Sequence, residues 1–162
     1  MSKAASFPKV LADEELKKAL QQFHAEKKKI VFTNGCFDLL HIGHVRYLEE
    51  AAKLGDLLIV GINTDASVKK LKGPTRPIQN ENDRAEILAS LKAVDHTVLF
   101  AEETPLELIK AIQPHVLVKG GDWKIDQIVG SDFVLKNGGQ VFSLQFVDGK
   151  STTRLIEKSQ QT

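Results

Sequence analysis

The chain of 162 residues is short of several things, and each shortage removes a class of protein. It has a single cysteine, Cys36, so no intrachain disulfide framework exists, and a lone thiol fits a reducing cytoplasm. No apolar run approaches the roughly 20 residues of a membrane-spanning helix. The N-terminal MSKAASFPKV lacks the apolar core of a signal peptide. Charge of one sign is not in excess: 22 Lys and Arg face 21 Asp and Glu, a net charge of +1. Bulk binding to nucleic acid or an anionic membrane is therefore not expected, and any phosphate site must be local. The P-loop pattern is missing. Gly149-Lys150-Ser151 matches its tail, but Leu144 stands where the leading glycine belongs. No G-x-G-x-x-G follows the first strong strand, and no Cys/His group has zinc spacing. Repeats and low-complexity segments are absent. What remains is a chain of ordinary apolar and charged content (42% and 27%), long enough to bury one full core.

The most informative stretch is residues 29–48, KIVFTNGCFDLLHIGHVRYL. Its start, 30–33, is apolar and β-branched, as in a central parallel strand, and Asn34-Gly35 breaks it. A helix follows, with Val45, Leu48, Ala51 and Ala52 spaced to bury one face. Its start carries His41 and His44, three apart and so on one face. Free N–H groups and the positive end of the dipole make such a start a place for anions.

Along the rest of the chain, residues 1–9 read as a loose arm and 13–28 as an amphipathic helix with Leu16, Leu20 and Phe23 inward. Gly55 is expected as a left-handed helix cap, and 56–62 as a second buried strand. Residues 67–77 hold three lysines, an arginine, a glycine and two prolines. They read as a mobile basic connector, its lysines either simply solvated or forming a cationic flap over phosphates. Asn80 caps a helix to about 91, with Ile87, Leu88 and Leu91 inward. A strand spans 96–100. Thr104 to Glu107 forms a capping box with Pro105 in the first turn of a helix that ends near Gln113. Further strands are expected at 116–119 and 140–146. Ser131 caps one late helix, and Ser151 to Thr153 opens the last, 154–158.

Strands alternating with helices predict an α/β fold: a single doubly wound, Rossmann-like domain with a parallel sheet of about five strands. The division is an N-terminal arm and helix (1–28) packed on a domain spanning 29–162. Ligands in such sheets bind beyond the carboxyl ends of the strands, near the switch in strand order. The segments 34–44, 63–76, 119–123 and 148–154 should converge there.

Two histidines at a helix start, lysines on a connector and hydroxyls at a second helix start suit transfer at phosphorus. Such a reaction needs charge on phosphate oxygens neutralised and attacker and leaving group held in line, with no protein nucleophile. His41 and His44 would donate hydrogen bonds to phosphate. Lys72, with Lys69, would add charge, and Ser151 to Thr153 would add donors. Cys36 reads as a packed turn residue, and His96 as structural.

His41-Ile42-Gly43-His44 after Thr33 to Asp38 resembles the HIGH-motif nucleotidylyltransferase superfamily. Ser151-Thr152-Thr153 resembles its second signature. Gly73 to Pro77, Leu117 to Trp123 and Asp148 to Thr153 together resemble the D-glycero-D-manno-heptose 1-phosphate adenylyltransferases, in a stand-alone form of a domain otherwise fused to a heptose kinase. The resemblance covers about residues 28–158. It implies catalytic roles for His41, His44 and Lys72. It implies nucleotide contacts from Thr33, Asn34, Gly35, Cys36, Phe37, Asp38, Gly120, Asp122, Trp123, Val147, Ser151, Thr152 and Thr153. Lys72 and Arg76 would meet the sugar phosphate. ATP with Mg²⁺, heptose 1-phosphate, a homodimer and a role in the lipopolysaccharide inner core are implied as well. The preference for ATP over CTP rests on the resemblance alone, because cytidylyltransferases acting on polyol phosphates such as glycerol 3-phosphate share both signatures. A non-catalytic nucleotide-binding module is the rival from another class. A fragment of a class I aminoacyl-tRNA synthetase shares the first signature, but nothing like a K-M-S-K-S loop follows.

Overall fold

The computed structural model describes residues 9–161, so the arm expected over 1–9 lies outside the described residues except for Lys9. The elements, in order, are β1 (Val10–Leu11), α1 (Asp13–Ala25), β2 (Ile30–Gly35), α2 (Ile42–Ala52), β3 (Leu57–Asn63), α3 (Asp65–Lys72) and α4 (Glu81–Ala89). They continue with β4 (His96–Phe100), α5 (Leu106–Ile112), β5 (Val116–Gly120), a 3-10 turn (Ile125–Gln127), α6 (Ser131–Lys136), β6 (Gln140–Leu144) and α7 (Thr152–Ser159).

The sheet is parallel throughout, in the order β1-β4-β3-β2-β5-β6. It has six strands rather than about five. The extra one, β1, pairs Val10 with Thr97 and Leu11 with Val98, and two residues are too short to show a period. Successive residues of a strand face opposite sides. Ile30 and Phe32 point into a layer with Leu16, Leu20 and Phe23 of α1 and Ile109 and Ile112 of α5. Val31, Leu58 and Val60 point into the other, against Tyr47, Leu48 and Ala51 of α2 and Ala85 and Leu88 of α4. Both faces are covered, so the central strands are apolar almost without interruption.

Local chemistry moved several boundaries. α1 stops at Ala25, and Lys27 is left-handed (φ 54°). β2 runs through Asn34 and Gly35 instead of breaking there. Gly55 is not left-handed. A Cβ there would lie 2.6 Å from the Lys29 carbonyl oxygen, so that glycine permits a close crossing rather than a cap. On α4, Leu88 is buried but Ile87 is 41% exposed. Pro105 occupies the cap position of α5 without a side-chain cap, and Glu107 pairs with Lys110 at 2.9 Å instead of closing a box. Ser131 is the first residue of α6, behind a left-handed Gly130. β6 ends at Leu144, two residues early.

The larger correction concerns residues 67–77. Through Lys72 they belong to α3, capped by the Thr64 hydroxyl accepting from the Ser67 N–H. Lys69, Lys70 and Lys72 fall in its last turn, where the helix dipole favours cations. The helix ends at Gly73 (φ 102°), a conformation that suits glycine.

Candidate active site

The strand order reverses between β2 and β5, and a cleft of about 650 Å³ opens over their carboxyl ends. The β2 exit contributes Asn34, Gly35, Cys36, Phe37 and Asp38, and the start of α2 contributes His41 and His44. Lys72 and Arg76 line it from the α3 side, Gly120 from β5, and Ser151, Thr152 and Thr153 from the start of α7. Segments far apart in sequence thus meet on one rim. Five expected residues do not line this cleft, among them the exposed Lys69. Thr33 is wholly buried, its hydroxyl bonded to the Tyr47 hydroxyl. Asp122 is exposed, Val147 half-buried, and Trp123 faces an adjoining hollow of about 100 Å³.

The two histidines cap their own helix reciprocally. His41 Nδ1 accepts from the Gly43 N–H at 3.1 Å, and His44 Nδ1 accepts from the His41 N–H at 3.3 Å. The rings stack with centroids 3.9 Å apart. A nitrogen that accepts carries no proton, so each ring is neutral and keeps its N–H on Nε2. Burial, then the neighbouring His41, pushes the His44 pKa down to about 4. Burial, then Lys150, lowers that of His41. Gly43 is required because a Cβ there would come within 2.8 Å of the His41 ring. Tyr47, one turn on, also donates to the Val118 carbonyl (3.4 Å), tying α2 to β5.

On the α3 side, two buried charges set the geometry. Asp38 is 2% exposed. It accepts from Arg76 Nε at 2.6 Å and from the backbone N–H groups of Ile78 and Gln79. Burial alone would raise its pKa, but these N–H groups and Arg76 outweigh it and hold the carboxyl below its usual range. Its carboxylate is thus committed to the protein, and the loop expected to be a flap is latched through it. Arg84 is 1% exposed and donates to the carbonyls of Gln79, Cys36 and Asn63 and to Asp65 Oδ1 at 2.7 to 3.0 Å. It joins the β2 exit, the end of β3, the start of α3 and the 76–79 turn. Burial pushes the Cys36 thiol up, against the positive charges around it, which suits a packed thiol rather than a nucleophile.

On the β5 and α7 side, Gly120 lets the Phe146 ring approach, since a Cβ would lie 2.4 Å from it. Trp123 Nε1–H donates to the Gly120 carbonyl at 3.1 Å. Ser151 caps α7 by accepting from the Arg154 N–H at 3.1 Å, and Thr152 donates to the Leu39 carbonyl at 2.8 Å. Lys119 and Lys150 also line the cleft; the sequence places their segments at this rim but assigns neither lysine a role. A lysine ending an apolar strand was the available signal for Lys119. Arg84, beneath the cleft, gave no local signal.

Fold and site together define a nucleotidylyltransferase of the HIGH-motif class. More narrowly, the chain belongs to the cytidylyltransferase-like family, whose pattern matches residues 32–157. Among similar proteins, the bifunctional protein HldE of Aliarcobacter butzleri is 58% identical over 148 residues, 91% of this chain and 30% of that protein. The bifunctional protein HldE of Citrifermentans bemidjiense is 56% identical over 86% of this chain and 29% of its own. The chain thus spans about 30% of the length of these curated relatives. A solved structure, the lipopolysaccharide core biosynthesis protein of Thermoplasma volcanium, is similar with a TM-score of 0.61 and 32% identity. That match covers 76% of this chain and 99% of the other.

Proposed function

We propose that the chain transfers the adenylyl group of ATP to D-glycero-D-manno-heptose 1-phosphate, giving ADP-heptose and pyrophosphate for the lipopolysaccharide inner core. The observation that carries the reading is the histidine pair: two neutral rings, fixed by their own helix, in a cleft lined by Lys72, Arg76, Lys119 and Lys150. The high identity to the HldE proteins and the likeness to a lipopolysaccharide core biosynthesis protein support it.

In this reading a phosphate oxygen of the sugar phosphate attacks the α-phosphorus. One P–O bond forms, the bond to the β-phosphate breaks, and pyrophosphate leaves on the opposite side. His41 and His44 donate from Nε2 to oxygens on which charge develops, and a preorganised donor of this kind is worth about 10²–10³ in rate. Lys72 and Arg76 hold the sugar phosphate. The N-terminus of α7, with Ser151 to Thr153, faces the leaving phosphates.

Among the described residues no group of three or more His, Cys, Asp or Glu is placed to hold a metal ion, and Asp38 is already engaged. The donors of the cleft therefore do not form a metal cage. Mg²⁺ is proposed to enter on the nucleotide's own phosphates, as this ion commonly does. No helix among the described residues is long and apolar enough to cross a membrane. A cytoplasmic location and a homodimer are proposed on the resemblance, the latter to be checked by light scattering.

The family's cytidylyltransferase-like description makes CTP the rival donor. Pyrophosphate release is measured for ATP and CTP, each paired with heptose 1-phosphate and glycerol 3-phosphate. ATP with heptose 1-phosphate should be fastest. Faster release from CTP with the polyol phosphate overturns the reading, and nucleotide binding without release in any pairing identifies a non-catalytic module.

A further inference from the structure

Lys119 ends the apolar run of β5 directly beside the reversal in strand order, across from the β2 exit. Its side chain is half-buried and lines both the main cleft and the smaller hollow beside it. Among the described residues no carboxylate or other hydrogen-bond acceptor meets its ammonium. Its neighbours are the Trp123 ring, whose centroid lies 5.7 Å from Nζ, and Cys36, whose thiol burial keeps protonated, so neither is a counter-ion. The buried carboxylate of the cleft, Asp38, is taken by Arg76 and two backbone N–H groups. A cation partly withdrawn from water without a counter-ion is unfavourable unless an anion completes the site. Lys150 and Arg76 line the same cleft and, as cations themselves, add to its need for an anion.

We propose that the Lys119 ammonium is a further phosphate-contacting group of the reaction, binding a phosphate oxygen in the crevice between β2 and β5. Burial already lowers its pKa, and a bound phosphate would reverse that shift. The inference rests on the phosphoryl-transfer reading above. It adds a group supplied by the strand on the far side of the switch, where the histidine pair and Lys72 all follow β2 or β3. The phosphate comes from the nucleotide or from the sugar, and the test separates these sources.

Trp123 is the only tryptophan of the chain and lies beside Lys119, so its emission reports ligand binding without a label. ATP, adenosine and heptose 1-phosphate are titrated into the wild type, Lys119→Met and Lys119→Arg, and turnover is followed by pyrophosphate release. Lys119→Met should weaken ATP, the sugar phosphate or both about tenfold to hundredfold, the range for a charge-assisted hydrogen bond. Adenosine, which has no phosphate, should bind as before, and Lys119→Arg should recover part of the loss. A loss confined to ATP assigns the contact to the nucleotide, and one confined to heptose 1-phosphate assigns it to the acceptor. Unchanged affinities and turnover overturn the proposal. So does an equal loss of ATP and adenosine, which marks a structural lysine. If Lys119→Met fails to fold by circular dichroism, Lys119→Gln takes its place in the same comparison. A wild type that binds ATP through Lys119 but transfers to no acceptor refutes the enzymatic reading and leaves the contact standing. An active wild type indifferent to Lys119 does the reverse.

Discussion

On one side of the histidine pair the cleft wall is fastened from beneath. Asp38 and Arg84, both almost wholly buried, hold the β2 exit, α3 and the 76–79 turn with eight hydrogen bonds to groups of the protein, the Ile78 N–H reaching both carboxylate oxygens. On the other side, α7 buries none of its residues and is tied down by a capping serine and by Thr152 reaching Leu39. The first wall has its geometry over-determined. The second rests on contacts open to water, which is where local opening concentrates. Composition alone would have reversed this picture, because the basic segment 67–77 carries the lysines, glycine and prolines that suggest mobility.

The comparison breaks most visibly at Arg84. Arg84→Leu leaves Asp65 and three carbonyls without their donor, and removing one partner of a buried pair costs about 3–5 kcal/mol. Urea unfolding should show this as a shifted midpoint, and a loss under 1 kcal/mol would mean the latch is not structural. At the pair itself, His41→Asn should keep the helix cap, since asparagine caps well, yet lose the Nε2 donor. Its stability should stay near wild type while kcat falls about 10²–10³-fold. His41→Ala should lose both, and equal stability of the two variants would show that the cap is idle.

The depressed pKa of His44 has a signed consequence. Its folded value, about 4, lies below the ordinary 6.5, so its contribution to stability is present above pH 6.5 and lost as pH falls toward 4. Asp38 is also held low, and its contribution is lost as pH falls further, through its own folded value. Between pH 6.5 and 4 the unfolding midpoint of the wild type should therefore drop more than that of His44→Gln. Parallel curves would refute the assignment. The smallest effect is expected on the loose wall. Ser151→Ala removes the α7 cap, worth about 1 kcal/mol, and should speed amide exchange within α7 while barely moving the global midpoint. A large fall in that midpoint would show α7 to be part of the cooperative core.

The parts legible in the sequence were those whose cause is local. The apolar runs of β2, β3 and β5 report burial on both faces, and Gly43 between two histidines marks a tight helix start. The two signatures led to the same cleft. What escaped depends on partners far along the chain. Nothing near Arg84 says that its acceptors lie 21 and 48 residues away, and nothing near Asp38 says that its carboxylate is held by groups some 40 residues on. The Thr64 cap that starts α3 is hidden in the sequence by the run of charges that follows it. Ile87 and Leu88 are both apolar on a helix with little periodicity, so only the packed structure tells which one is inside.

The reciprocal cap of His41 and His44 also divides the cleft by its response to ionic strength. Its donors are neutral N–H groups, whose attraction for phosphate is short-ranged and directional, so dissolved ions screen it little. Lys72, Arg76, Lys119 and Lys150 act as charges over a distance of order 10 Å, which salt at 0.1 M cuts off. Added salt should therefore raise KM for the anionic substrates and leave kcat almost untouched. On the proposed reading, capture of substrate falls to ions and the chemical step to dipoles.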